Sequence, residues 1–306
     1  MLDLRRLRVL HAVHAYGSVT AAAAALGYSG PAVSQQLASL EREVGMRLTE
    51  RAGRGITLTP AAYILVAHTD ALLAQLDAAE AEVAGLRDEV AGRVHLAAFP
   101  SAAATIVPAA WAALARSSPH VQLEVDEMEP DESLPMVLRN ETDVAVAHEY
   151  DVVPRPLDLL LERRELFADP VLIAAHARSA HAGTGPVRLE ALAKEPFLVP
   201  RTGTACAEMA QRACARAGFV ARVVARATDF QVLLGLVGAG AGVALVPRLA
   251  ARHLPAQVCL VEPAAPITRQ VFAVSRLGGD RKPAVRVVLD ALVAEAGRIS
   301  SATPPG

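Results

Sequence analysis

Residues 7–62 read LRVLHAVHAYGSVTAAAAALGYSGPAVSQQLASLEREVGMRLTERAGRGITLTPAA, and this stretch decides the fold of the first part of the chain. Leu4, Leu7, Leu10, His11 and Val13 recur at helical spacing and predict an amphipathic first helix. Gly17 ends it, and Ser18 caps a second helix over about Val19–Leu26, whose alanine run permits close packing. Gly27 supplies a tight turn. Ser29 caps a third helix, with Gly30 and Pro31 in the first turn, where the missing proline N–H costs nothing. That helix runs to about Val44 and stops at Gly45. Leu48 opens a short strand, Ala52–Gly55 turns, and Ile56–Leu58 returns. Three short helices and a small basic hairpin, in that order, predict a winged helix-turn-helix, a shape that lays a helix in the major groove of duplex DNA.

On the third helix Val33, Leu37 and Leu40 face inward, while Ser34, Gln35 and Ser39 point outward, uncharged and able to donate and accept. The hairpin carries Arg51 and Arg54, placed for phosphate or minor-groove contact. The expected DNA face therefore comprises Ser18, Ser29, Gly30, Pro31, Ala32, Ser34, Gln35, Arg51 and Arg54. Charge agrees. Residues 1–60 hold seven arginines against four acids, although the whole chain has a net charge of −2.

The segments LRVLHAV, GSVTAAAAALGYS, PAVSQQLASLEREVGMRL, ER and ITLTP together resemble the DNA-binding domain of the LysR-type transcriptional regulators, in order and without gaps. The chain departs from the family pattern at Gly30, where glutamine is usual, at Thr49, where phenylalanine is common, and at Ala62, where glycine is common. The resemblance implies a sequence-specific transcriptional regulator with a C-terminal effector domain of periplasmic-binding-protein type, assembled as a homodimer or homotetramer.

Thr59 and Pro60 start a longer helix with no breaker before Gly85. Leu65, Leu72, Ala79 and Leu86 repeat every seven residues, as do Thr69, Leu76, Val83 and Val90. A seam of this kind on about 30 residues, roughly 45 Å, predicts a pairing helix between two copies. Packing on its own chain is the competing reading. Leu65, Leu72, Leu76, Ala79, Val83 and Leu86 are the expected dimer residues. One arginine against six acids in residues 61–91 gives the helix an acidic outer face.

After Gly92 strands and helices alternate. Strands are expected over Val94–Phe99, Val121–Glu127, Asp143–Ala147, Val171–Ala175, Phe197–Pro200, Ala221–Arg226, Val243–Val246 and Gln270–Ser275. Helices are expected over about 102–115 (broken only at Pro108), 131–140, 205–217, 229–237 and 283–296. This predicts an α/β unit with a largely parallel sheet. The expected plan is a winged helix-turn-helix over 1–59, a linker helix over 60–91 and an effector domain over 92–306. One subdomain of the latter takes about 93–163 and 266–300, the other about 164–265. LVGAGAGVALVPRLA, SSPHVQLEV and TDVAVA carry the family resemblance here. Helix starts at Ser101 and at Thr202–Thr204 suit a small anion, with Ser101 seven residues before Pro108 as the family spaces its effector contact. Ser101, Ala102, Thr202, Gly203 and Thr204, walled by Phe230 and Val246, are the expected effector contacts. The hydroxyls serve equally well as plain N-caps.

The remaining chemistry narrows the classes. GAGAG at 238–242 follows a helix and precedes a strand, the reverse of a dinucleotide loop. Cys206, Cys214 and Cys259 have no CxxC spacing, the nine histidines have no ligand spacing, and no cofactor or metal is expected. No GxSxG or P-loop marks an enzyme, and no catalytic residues are expected. An enzyme or a solute-binding protein with an accessory helical domain are the alternatives. No apolar run approaches the ~20 residues of a membrane span, and no signal peptide is expected, so the cytoplasm is the expected location.

Overall fold

The computed structural model describes residues 2–52, 55–85, 90–183 and 185–301. The N-terminal unit is α1 (Leu4–Tyr16), α2 (Val19–Leu26), α3 (Gly30–Val44) and a hairpin of β1 (Thr49–Ala52) and β2 (Gly55–Leu58). Its helix boundaries follow from capping. Asp3 accepts from Arg5 N, Ser18 from Ala21 N and Ser29 from Ala32 N, while Gly17, Gly27 and Gly45 close the helices in the left-handed region. Leu7, Leu10, Val13, Ala22, Val33, Leu37, Leu40 and Leu48 make the core. Glu41 ties the hairpin to α3: its Oε1 accepts from Leu48 N at 2.8 Å and Thr49 N at 3.1 Å.

Helix α4 (Pro60–Gly85) starts in that same core, where Ala62 and Val66 are buried. Its seam is split. Leu65 and Thr69 pack within the chain, whereas Leu72, Leu76, Ala79 and Val83 are exposed, Val83 by 69%. Val90 lies beyond the helix, and Leu86 lies outside the described residues.

The rest is an α/β unit: β3 (Gly92–Ala98), α5 (Pro100–Ala103), α6 (Ile106–Ser117), β4 (Val121–Glu127), α7 (Pro130–Leu138), β5 (Val144–Tyr150), β6 (Leu161–His176), β7 (Pro196–Pro200), α8 (Ala205–Arg216), β8 (Arg222–Ala227), α9 (Phe230–Gly238), β9 (Ala244–Pro247), β10 (Val258–Val261), β11 (Thr268–Arg276) and α10 (Pro283–Ser301). The large sheet has the order β10-β6-β11-β5-β3-β4, with β9 also on β6. It is mixed and not largely parallel. β3 runs parallel to β4 and β5, but β11 pairs antiparallel with both β5 and β6. Strand β6 joins two halves. Its first part, to Pro170, pairs with β11, and its last part, from Val171, with β9 and β10. One core gathers Val94, Leu96, Ile106, Val146, Val271 and Leu292; a second gathers Ile173, Phe197, Met209 and Leu245.

Two further sequence expectations change. The helix over 102–115 is two helices, and the break falls at Ala104–Thr105. Pro108 sits in the first turn of α6, where proline is tolerated. β6 begins ten residues earlier than expected because its first part, LERRELFADP, is polar. Ion pairs of Arg163 with Glu149 and of Arg164 with Asp280 and Asp290 hold that part, and Arg163 lies 3.7 Å over the Phe272 ring. β10 has no counterpart among the expected strands.

Gly242, two residues before β9, lies against Pro196 of β7. A Cβ there would stand 2.2 Å from the Pro196 carbonyl oxygen, which accepts from Val243 N at 2.9 Å. Gly242→Ala is expected to destabilise the protein by about 1–3 kcal/mol, the usual range for overpacking, read by denaturant unfolding. An unchanged midpoint would contradict this packing.

Candidate functional site

The exposed end of α3 is the first candidate. Tyr28 (52% exposed), Ser29, Pro31, Ser34 and Gln35 stand open to solvent, and Gly30 and Ala32 are half-buried. Ser18 and Ser29 use their hydroxyls as caps, accepting from Ala21 N at 3.1 Å and from Ala32 N at 3.4 Å. Nothing lies within 4 Å of the Cβ that Gly30 lacks. Arg51 belongs to β1, and Arg54 lies outside the described residues. Tyr28 is not among the residues the sequence pattern marks, although its place just before the cap could have marked it.

The second candidate is the cleft between the halves of the α/β unit. A cavity of about 440 Å³ there is lined by Ser101 and Phe230, together with Glu129, Cys206, Asp229 and Arg269. Arg269, 1% exposed, donates from Nε and Nη2 to Asp169 Oδ2 at 3.0 and 2.6 Å. Nη2 also donates to Ser101 Oγ at 3.0 Å. Asp169 accepts from Leu249 N through its other oxygen. The guanidinium lies over Phe99 at 4.8 Å. Behind Phe99, burial lowers the His148 pKa despite the neighbouring Glu129, which leaves a neutral imidazole. Burial likewise pushes the Cys206 thiol up to about 11, so it stays protonated.

The other expected effector residues are not in this cavity. Thr202, Gly203 and Thr204 line a separate one of about 800 Å³, and Thr204 caps α8 by accepting from Ala207 N. Ala102 and Val246 are fully buried in the two halves' cores and present no side chain to a ligand. Nor does Ser101 act as an N-cap: the cap of α5 is Phe99, and α5 is a four-residue helix. The helix-start argument fails here because the hydroxyl is taken by Arg269.

A third group was not visible in the sequence. Arg276, at the end of β11, ion-pairs with Asp70 of α4 and donates to His11 Nε2 of α1 at 2.9 Å; Nη1 donates to Leu138 O at 2.9 Å. Asp70 is 5% exposed. Nearby, Arg139 lies 5.9 Å over the Tyr16 ring, and Leu160 packs on the N-terminal core. Burial, then Arg276 and Arg8, lower the His11 pKa to about 4. Burial lowers that of Arg276 to about 10, which leaves it charged at neutral pH.

Residues 4–63 match the family described as bacterial regulatory helix-turn-helix protein, lysR family, and residues 87–297 match the LysR substrate binding domain. The chain belongs to the LysR family of transcriptional regulators. It is 32% identical over 295 residues to the regulator AbaB of Streptomyces antibioticus, covering 90% of this chain and 93% of AbaB. It is 30% identical over 270 residues to the regulator IlvR of Caulobacter vibrioides, covering 86% and 89%. In fold it is similar to a full-length OxyR variant from Pseudomonas aeruginosa (TM-score 0.64, 19% identity, 95% of each chain). It is also similar to CbnR complexed with its target DNA (TM-score 0.56, 21% identity, 96% of this chain and 100% of that one). This LysR-family chain is thus a DNA-binding transcriptional regulator with a substrate-binding effector domain, and not an enzyme. Among the described residues no helix is long and apolar enough to cross a membrane.

The family's two domains meet at the Arg276 group, which gives it an acid sensitivity. The His11 pKa is lower in the folded chain than the ordinary 6.5, so the unfolded chain takes up the proton first. Stability contributed by neutral His11, which faces Asp70, Arg276, Arg8 and His14, is present above pH 6.5 and is lost between 6.5 and about 4. His11→Gln is expected to flatten this limb of the stability–pH curve, by at most about 3 kcal/mol. An identical limb in the variant would contradict it.

Proposed function

We propose that α3 reads base edges through Gln35 and Ser34, with Tyr28, the first turn from Ser29 to Ala32, the Ser18 turn and the wing arginines Arg51 and Arg54 holding the phosphates. Exposure of the α3 start, with its inner face packed into the core, supports this orientation. The open space before Gly30 implies a base preference different from that of relatives with glutamine there. The exposed half of the α4 seam, Leu72, Leu76, Ala79 and Val83, supports pairing into a homodimer, with a homotetramer as the larger assembly. A regulator paired with chromosomal DNA works in the cytoplasm.

The effector site is the 440 Å³ cleft, where Ser101 and the buried Arg269 receive a carboxylate. One observation carries the coupling of this site to DNA: Arg269 and Arg276 lie on the same strand, β11. They are seven positions apart, about 23 Å of extended chain. One sits in the cleft, and the other holds α1 and α4. An effector that binds one placement of β11 better than another shifts the docking of the DNA-binding domain.

The DNA reading is tested by selecting bound sequences from a random duplex library at several salt concentrations. Gln35→Ala is expected to lose about 1–3 kcal/mol of discrimination at one base position and to keep the salt slope. Arg51→Ala is expected to weaken all sequences alike and to flatten the slope by about one. Unaltered preference in Gln35→Ala would show that α3 is not the reading element.

A further inference from the structure

The effector cleft holds two opposite charges that do not meet. Arg269 uses Nε and Nη2 on Asp169 and Ser101, and its Nη1 donates to no group among the described residues. Its only carboxylate partner there is Asp169. Glu129, the residue before α7, lines the same cavity with its side chain 30% exposed. Its Oε2 lies 3.4 Å from Nε2 of His148, a side chain 1% exposed and kept neutral by burial. A neutral imidazole donates one hydrogen bond and fixes the carboxylate without cancelling its charge. Cys206 lines the same cavity as Arg269 and Glu129, and its thiol feels both charges.

Asp169 already balances Arg269, so a simple anion entering the cleft would face the uncompensated carboxylate of Glu129. A simple cation would leave the spare guanidinium N–H groups unused. The exposed rim charges Glu127, Asp229 and Arg252 have mixed sign and are screened by water, so they decide little. Phe99, Phe230 and Leu249 supply an apolar floor. A volume of about 440 Å³ suits a small metabolite.

We infer that the effector is a zwitterion of the amino-acid class with an apolar side chain. Its carboxylate lies on Arg269 Nη1 and Ser101 Oγ, its ammonium lies on Glu129, and its side chain lies on the Phe99–Phe230 floor. This rests on the cleft being the effector site.

The test is thermal unfolding of the full chain with each of the twenty standard amino acids, followed by titration of the best one against its matched 2-oxo acid and amine. An apolar amino acid is expected to raise the midpoint, and each half-molecule to bind about tenfold or more weakly. Glu129→Gln is expected to weaken the amino acid about tenfold and to shift preference toward the 2-oxo acid. The inference is overturned if no amino acid stabilises the chain, if the 2-oxo acid binds as tightly, or if Glu129→Gln leaves the preference unchanged. Ala104→Trp, which fills the cavity from an exposed position, separates the two levels. If 2-oxo acid binding is tight and blocked by Ala104→Trp, the ligand class is wrong and the cleft stands. Amino-acid binding that survives Ala104→Trp would instead refute the cleft.

Discussion

The buried guanidinium of Arg276 is the contact on which the arrangement of the molecule depends. It comes from the last residue of β11, in the effector domain, and ends on Asp70 of the linker helix and His11 of the first helix. A buried ion pair gives little net stability over an apolar contact of equal size, because desolvation offsets the attraction. Breaking one is costly, since the partner is left charged and dry. Such a group therefore fixes where the DNA-binding domain sits more than it fixes whether the domains fold. The same strand carries Arg269 into the cleft, where Ser101 and Asp169 hold it. The proposed ligand site and the domain junction thus lie towards the two ends of one strand.

Linker helix α4 serves both sides of this arrangement. One face of its first half packs within its own chain and delivers Asp70 to Arg276. Its second half leaves Leu72, Leu76 and Val83 uncovered. The intrachain reading of its heptad seam holds for Leu65 and Thr69 only, and pairing is the reading proposed for the exposed remainder. A pairing contact beyond Leu72 and an intrachain contact before it would let movement at the junction reach both DNA-binding domains of a dimer.

Much of this was legible in the sequence because capping and periodicity are local. Ser18, Gly27, Ser29 and Gly45 punctuate the first domain at the residues where the helices begin and end. The alternating strands and helices after Gly92 gave the α/β class for the same reason. The first part of β6 was hidden because its alternation is one of charges, held by ion pairs with residues up to 126 positions away. The charged clusters were hidden for a related reason. Nothing in the spacing of Arg269, Asp169, Arg276 or Asp70 distinguishes them from solvated surface residues. Thr202–Thr204 and Ser101 share a local signature, a hydroxyl at a helix start, but the chain path puts them in different cavities.

Arg276 docks the DNA-binding domain on the effector domain. Spin labels at Thr20 and Glu132, both exposed, test it in chains diluted with unlabelled partner, with Cys259 replaced by serine. The native sequence should give one narrow distance distribution, and Arg276→Gln should broaden it while the effector domain keeps its unfolding midpoint. A distribution equally narrow and unmoved in Arg276→Gln would contradict the account.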